Sequence, residues 1–230
     1  GSMHILDKDK GILGTVPIVA GTVSLSVGAA LSLKMAKQSN ISVSFLGDGA
    51  TEEGHVIESM NMAALYNLPV LFVIENNLYS SHMHMEERRR QTDLQKIGQM
   101  LGIPTIQIDG NNFREVTKVA KSKIGNIRSN KGPEIIECLT YRWRGHVGTS
   151  WDTDVGVKRK NELDVWKLRD PILREKDYLL KEGLLERDLS KAEDAINEKL
   201  NKSLTSALEA SFPEPSTLMN HVFVEGKENV

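Results

Sequence analysis

The sequence predicts an α/β fold: a parallel sheet with helices on both faces, plus a C-terminal helical extension. Three observations carry this. Short apolar, β-branched runs recur at residues 41–46, 70–74, 105–108 and 134–139. Stretches with apolar residues at helical spacing separate them. The resulting β-α-β-α-β-α-β order is that of parallel strands joined by crossover helices.

The first dozen residues are rich in Gly and charge. Residues 18–37 then carry Ala20, Gly21, Ser24, Ser26, Gly28, Ala29, Ala30 and Ser32. This reads as a helix with a small-residue face, able to pack close to another backbone across a subunit boundary. Residues 41–46 alternate as a strand does, and Gly47-Asp48-Gly49 closes it with a tight turn. In 53–66, Val56, Met60, Ala63 and Ala64 share one helical face. Pro69 ends this helix by pushing Leu68 out of helical geometry. The unbroken apolar run 70–74 has the character of a strand buried on both faces. After a polar loop, 94–101 reads as a short helix, 105–108 as a strand closed by Asp109-Gly110, 113–127 as a helix and 134–139 as a strand.

Beyond this the composition changes. Residues 145–157 form an irregular loop rich in Gly, Thr and Asp. Asp170 and Pro171 supply an N-cap and first-turn proline for a helix ending near Gly183. Ser190-Lys191-Ala192-Glu193 has the form of a capping box. Ala192, Ile196, Leu200, Leu204 and Leu208 then recur as one amphipathic stripe. Phe212-Pro213-Glu214-Pro215 ends it.

The 230 residues carry a net charge of -2, so there is no basic field for nucleic acid. Arg88-Arg89-Arg90 reads as a solvated loop. The apolar-rich stretch 12–36 is interrupted by Gly, Ser, Thr and Pro, which argues against a membrane span. The one cysteine, Cys138, lies in an apolar run and reads as a buried structural thiol in a reducing compartment. His82 and His84 lack a Cys or carboxylate partner at ligand spacing.

The chemistry-bearing constellation is Gly47-Asp48-Gly49 at one strand end and Glu75-Asn76-Asn77 at the next. Ligands of open parallel sheets bind beyond the C-terminal ends of strands. Asp48 and Asn77 can therefore meet there, offering a carboxylate and an amide oxygen near a helix start. That set suits a hard cation bound to a diphosphate. Gly49 and Ala50 leave room for close approach. The dinucleotide fingerprint fails because the next glycine, Gly54, comes too late; the Gly-Lys-Ser/Thr end of NTPase loops is absent. A calcium loop fails because Ala50 stands where Asp or Asn is needed. Taken alone, Asp48 serves equally as a helix cap and Asn76-Asn77 as a plain turn. Val19 alone reads as core, and His146 as a surface loop residue.

Gly-Asp-Gly followed under thirty residues later by Asn-Asn resembles the thiamine diphosphate motif. Glu58-Ser59-Met60-Asn61-Met62-Ala63-Ala64-Leu65, Leu68-Pro69-Val70 and Glu75-Asn76-Asn77-Leu78-Tyr79-Ser80 resemble the alpha subunits of pyruvate, branched-chain 2-oxo acid and acetoin dehydrogenases. Gly1-Ser2-Met3-His4, Lys131-Gly132-Pro133, Arg144-Gly145-His146 and Phe212-Pro213-Glu214-Pro215 extend the likeness along nearly the whole chain.

That resemblance implies a thiamin-diphosphate-binding fold. It implies Asp48, the Asn77 side chain and the Tyr79 carbonyl as ligands of Mg2+, with Gly49 and Ala50 on the diphosphate of thiamine diphosphate. Val19 would prop the bent cofactor, and His146 would be the catalytic loop histidine facing it. Residues 1–144 would form the diphosphate and Mg domain, 145–160 the active-site loop and 161–230 a helical extension of the same domain. The implied activity is oxidative decarboxylation of a small 2-oxo acid with acyl transfer to a lipoyl-bearing acyltransferase. An acetoin or other ketone-cleaving dehydrogenase and a non-catalytic scaffold paralogue are the alternatives. A beta subunit would supply the glutamate for the aminopyrimidine in an α2β2 assembly, in a cytoplasmic or mitochondrial-matrix setting. Val147 replaces the kinase-target serine found in some relatives, so that regulation is expected to be absent. A preceding segment with a diphosphate-gripping Tyr-Arg pair is expected to be missing.

Overall fold

The computed structural model describes residues 4–152, 157 and 159–220. The Gly1-Ser2-Met3 part of the motif above lies outside the described residues. In chain order the strands are β1 (Ser42–Gly47), β2 (Val70–Asn76), the short β3 (Tyr79–Ser80) and β4 (Met83–His84), β5 (Thr105–Asp109) and β6 (Glu134–Leu139). The helices are α1 (Gly21–Met35), α2 (Gly54–Leu65), α3 (Met85–Arg88), α4 (Gln95–Leu101), α5 (Phe113–Arg128), α6 (Lys160–Lys167), α7 (Pro171–Lys181) and α8 (Glu186–Glu209).

The main sheet has the order β1-β2-β6-β5, all parallel, while β3 and β4 pair antiparallel as a hairpin. Register aligns Gly47 of β1 with Glu75 of β2, so both strands finish at one edge. One face of the sheet packs Leu46, Val70, Phe72, Ile74 and Ile135 against Val23, Val27 and Ala30 of α1 and Val56, Met60 and Ala63 of α2. The opposite face packs Leu71, Ile108, Ile136 and Cys138 against Val116, Val119, Ala120, Ile124 and Ile127 of α5. Apolar side chains on both faces of β2 explain its unbroken hydrophobic run. Burial of a full-sized aliphatic side chain contributes about 1.5–3 kcal/mol, so these two layers are what fixes the sheet.

The alternation in β1 runs opposite to the usual sense. Ser42 and Ser44 are buried, whereas Val43 and Phe45 are exposed. Small hydroxyl side chains on the inner face leave room for Val23, Val27 and Ala30 of α1.

The chain divides into two units, one up to Glu175 and the other from Lys176 onward. In the second, Gly183 takes a left-handed backbone (φ 96°). Its N–H donates to the Leu180 carbonyl at 3.1 Å, and that of Leu184 to the Leu179 carbonyl at 3.0 Å, ending α7 as a glycine stop does.

One expectation needs correction here. Ser190 caps nothing: α8 starts at Glu186, so Ser190 is interior. Glu186 and Asp188 place carboxylates against the free N–H groups of the first turn, and no residue before Ser190 breaks the helix. The stripe Ile196, Leu200, Leu204 and Leu208 is present but exposed. Among the described residues, no helix is long and apolar enough to cross a membrane.

Candidate functional site

The site grows from the shared edge of β1 and β2. The backbone after Gly47 turns through a 3-10 segment, Gly49–Glu52, and the regular helix α2 begins only at Gly54. Asp48 precedes that segment but its side chain caps no amide. Its Oδ1 instead accepts the backbone N–H of Asn77 from the neighbouring strand end, at 3.3 Å. Asp48 is 1% exposed. Burial raises its pKa, the Arg88 charge and the Asn77 N–H lower it, and the net displacement is upward.

Asn76 and Asn77 are more than a plain turn. The Oδ1 of Asn76 accepts from Leu78 N and the Oδ1 of Asn77 from Tyr79 N, each at 3.0 Å. Between them Leu78 sits at φ 71°, a left-handed conformation that costs a non-glycine residue about 1–2 kcal/mol. The two side-chain bonds hold it there. Beneath them lies Glu137 of β6, fully buried, whose Oε1 accepts from Asn76 Nδ2 at 2.7 Å. Burial moves the Glu137 pKa upward against the hydrogen bonds from Asn76 and Gln107.

The chain then doubles back. Tyr79 pairs with His84, and Met85 N–H donates to the Leu78 carbonyl at 2.8 Å. The β3–β4 hairpin places Ser80 directly over Gly49: a Cβ at Gly49 would lie 2.5 Å from Ser80 Oγ. The same turn brings in a residue absent from the expected site. Arg88 is not in a solvated loop; its side chain is 7% exposed and pairs with Asp48 Oδ2 and Glu52 Oε1. Arg89 follows, donating to Thr51 Oγ1 at 2.9 Å. Three consecutive arginines carry no mark in the sequence of which one turns inward. The signal is the buried Met85, which anchors α3 against the core.

A second layer joins this edge to the loop. Tyr79 Oη and Tyr141 Oη both donate to Glu162 Oε2, at 2.9 and 2.8 Å. Burial and the Glu162 carboxylate push Tyr141 up to about 12 and move Tyr79 upward as well. Arg142 donates to the Ser81 carbonyl in the hairpin and to Asp152 Oδ2, the latter at 2.6 Å. Arg159, fully buried, donates to Asp152 Oδ1 at 2.7 Å and to the carbonyls of Arg142 at 2.7 Å and Arg144 at 2.8 Å. These bonds shape the backbone from 142 to 152, and Gly145 N–H closes it on the Ser150 carbonyl at 2.7 Å.

The structure therefore gathers Asp48, Gly49, Ala50, Asn77 and Tyr79 at one edge. Val19, in the turn before α1, is 58% exposed, not core. His146 is exposed within the 142–152 loop. Among the described residues neither hydrogen-bonds to the Asp48 cluster. Cys138 is buried and free, and burial pushes its thiol up to about 11.

The donor set fits a Mg2+–diphosphate group. Asp48 holds one buried carboxylate, and Asn77 and Tyr79 carry an amide and a carbonyl oxygen on the adjoining turn, the donor types that a hard cation takes beside phosphate and water. Among the described residues, no group of three or more His, Cys, Asp or Glu is placed to hold a metal. Asp48 already demands a positive partner, which Arg88 provides.

Comparison with known proteins matches residues 1–216 to the family described as dehydrogenase E1 component. The alpha subunit of acetoin:2,6-dichlorophenolindophenol oxidoreductase from Bacillus subtilis is 36% identical over 225 residues, covering 97% of this chain and 66% of that protein. The pyruvate dehydrogenase E1 component subunit alpha of Rhizobium meliloti is 36% identical over 228 residues, covering 97% of this chain and 64% of its own. A chloroplastic pyruvate dehydrogenase E1 alpha-3 subunit from Arabidopsis thaliana is 34% identical, with 99% and 54% covered. The chain thus spans between just over half and two-thirds of the length of these relatives.

Proposed function

Because the chain belongs to the dehydrogenase E1 component family, we propose that it acts as the alpha subunit of a thiamine-diphosphate-dependent 2-oxo acid dehydrogenase. It holds the cation and diphosphate half of the active site. The observation that carries this is the meeting of Asp48 and Asn77 at adjacent strand ends, 3.3 Å from carboxylate to backbone N–H. Asp48, Asn77 and the Tyr79 carbonyl ligate Mg2+, and the amides of Gly49 and Ala50 receive the diphosphate. Val19, exposed before α1, props the cofactor.

Thiamine diphosphate, when bound, supplies the carbanion chemistry that removes carbon dioxide from the 2-oxo acid. The protein's part is to fix that group and handle the substrate around it. His146, exposed on the tied loop, faces the reacting end and assists acyl transfer to the lipoyl arm of an acyltransferase partner. The Arg159–Asp152–Arg142 cluster holds the backbone that carries His146. A beta subunit supplies the glutamate for the aminopyrimidine. The exposed small residues Ser24, Gly28 and Ser32 of α1 support a close helix contact in an α2β2 assembly. The reducing, cytoplasmic setting is supported by the free, buried Cys138. An acetoin-cleaving reaction is the second reading, favoured by equal identity, 36%, to the acetoin and pyruvate relatives.

Calorimetric titration of Mg2+ and thiamine diphosphate into the co-purified alpha–beta assembly tests the proposal. Binding that disappears in Asp48→Ala supports it. No binding in the parent favours a scaffold and sinks it. Pyruvate and acetoin turnover by the same assembly separates the two substrates, and the alpha chain alone is expected to be inactive on both.

A further inference from the structure

The Arg88 guanidinium occupies one of the two Asp48 oxygens, Oδ2. It bridges Asp48 Oδ2 and Glu52 Oε1, and all three groups sit at the start of the turn assigned to the diphosphate. Asp48 is almost wholly enclosed, and an enclosed carboxylate without a counter-charge is costly. A guanidinium already paired with Asp48 Oδ2 and a divalent ion on the same enclosed carboxylate would be two positive charges within a few ångströms, and they repel. Arg88 is also incompletely satisfied: its Nε is buried and has no hydrogen-bond partner among the described residues. Arg88 has a short tether as well, lying at the end of α3, a single helical turn that follows the β3–β4 hairpin. Arg89 remains bound to Thr51 independently of Asp48, so the turn stays attached when Arg88 lets go.

We infer that Arg88 is an internal counter-ion of the cation site, paired with Asp48 while no cation is bound and displaced from it when a divalent cation enters. The inference rests on the reading of Asp48 as a cation ligand. It adds that the empty and loaded states exchange one positive partner for another, so that Asp48 is never left uncompensated. Glu52 then acts as the parking partner that retains Arg88, not as a ligand of the ion. The exchange lowers the affinity for free cation and makes the site favour a cation that arrives with its diphosphate.

The test is Mn2+ titration of the alpha–beta assembly with inorganic diphosphate present, followed by the electron paramagnetic resonance signal of free Mn2+. Arg88→Met removes the competitor and is expected to tighten Mn2+ binding about tenfold or more, by analogy with the penalty for a buried unpaired charge. Glu52→Gln removes the place to which the displaced Arg88 retires and should weaken Mn2+ binding; Glu52 is about one-third exposed, so this variant remains informative should Arg88→Met not fold. Thermal unfolding in EDTA should show Arg88→Met less stable than the parent, with Mn2+ restoring more to the variant than it adds to the parent. Unchanged or weaker Mn2+ binding in Arg88→Met, or unchanged or tighter binding in Glu52→Gln, overturns the inference. If the parent binds Mn2+ and Asp48→Ala does not, that failure leaves the site reading intact. If the parent itself does not bind, the site reading falls first.

Discussion

Arg159 and Asp152 form an enclosed ion pair, Nε to Oδ1 at 2.7 Å, with both side chains no more than 2% exposed. The pair lies at the base of the backbone that carries His146. Arg159 satisfies the Arg142, Trp143 and Arg144 carbonyls in addition to Asp152, so it replaces the regular hydrogen bonding that this segment lacks. Replacing it with Met leaves the Asp152 charge paired, among the described residues, with Arg142 alone. Loss of a buried ion-pair partner costs about 3–5 kcal/mol. Hydrogen exchange of residues 142–152 should therefore become much faster in Arg159→Met while the amides of β2 and β6 keep their protection. Unaltered exchange in that segment would mean the pair does not order it.

Acid should loosen the same segment. Burial alone would raise the Asp152 pKa, but the hydrogen bonds and charges of Arg142 and Arg159 outweigh it and hold the carboxyl below its ordinary 3.8. A folded-state pKa below the unfolded one gives stabilisation that is complete above 3.8 and lost as pH falls through the folded value. Exchange of residues 142–152 should rise as the pH is lowered through that window. In Asp152→Asn the segment should be looser at neutral pH and lose this acid dependence.

Gly49 has no room for a methyl group. A Cβ there would meet Ser80 Oγ at 2.5 Å and Ser80 Cβ at 2.7 Å. Gly49→Ala is expected to cost about 1–3 kcal/mol through overpacking. The double variant with Ser80→Gly should recover most of that loss in urea unfolding. An equal loss in single and double variants would place the difficulty elsewhere.

Cys138 should be chemically silent in the folded chain. Its thiol is buried and raised to about 11, so at neutral pH almost none is thiolate. A thiol-reactive chromophore should label it only at the rate of unfolding, and at once in denaturant. Fast labelling under native conditions would contradict the burial of β6.

Most of the fold was legible because it depends on local pattern. The run in β2 is apolar on both faces, β6 sets Ile135, Ile136, Cys138 and Leu139 among its two glutamates, and the spacing in α2 and α5 is helical, so each element announces itself within a few residues. Asp48 and Asn77 were legible for the same reason: both follow immediately on strands, and parallel strands end together. Arg88 was not. Its inward turn depends on a hairpin whose bend uses Ser81 at φ 51°, with no Asn-Gly or Asp-Gly to mark it. Arg159 and Glu162 were equally hidden, since each acts on partners outside its own short helical segment. Ser190 misled because a capping box is only a start signal when the residues before it cannot be helical, and Glu186 to Leu189 can.

The stack of Tyr141 on Trp166 has an optical consequence. The rings lie 5.5 Å apart at 12°, and Tyr79 meets Tyr141 edge-on at 6.0 Å. Tyr79 belongs to the turn that begins at Asn77, so any shift of that turn reaches an indole through one intervening phenol. With Trp143 and Trp151 replaced by Phe, the emission of Trp166 becomes a built-in gauge of the strand ends that needs no attached dye.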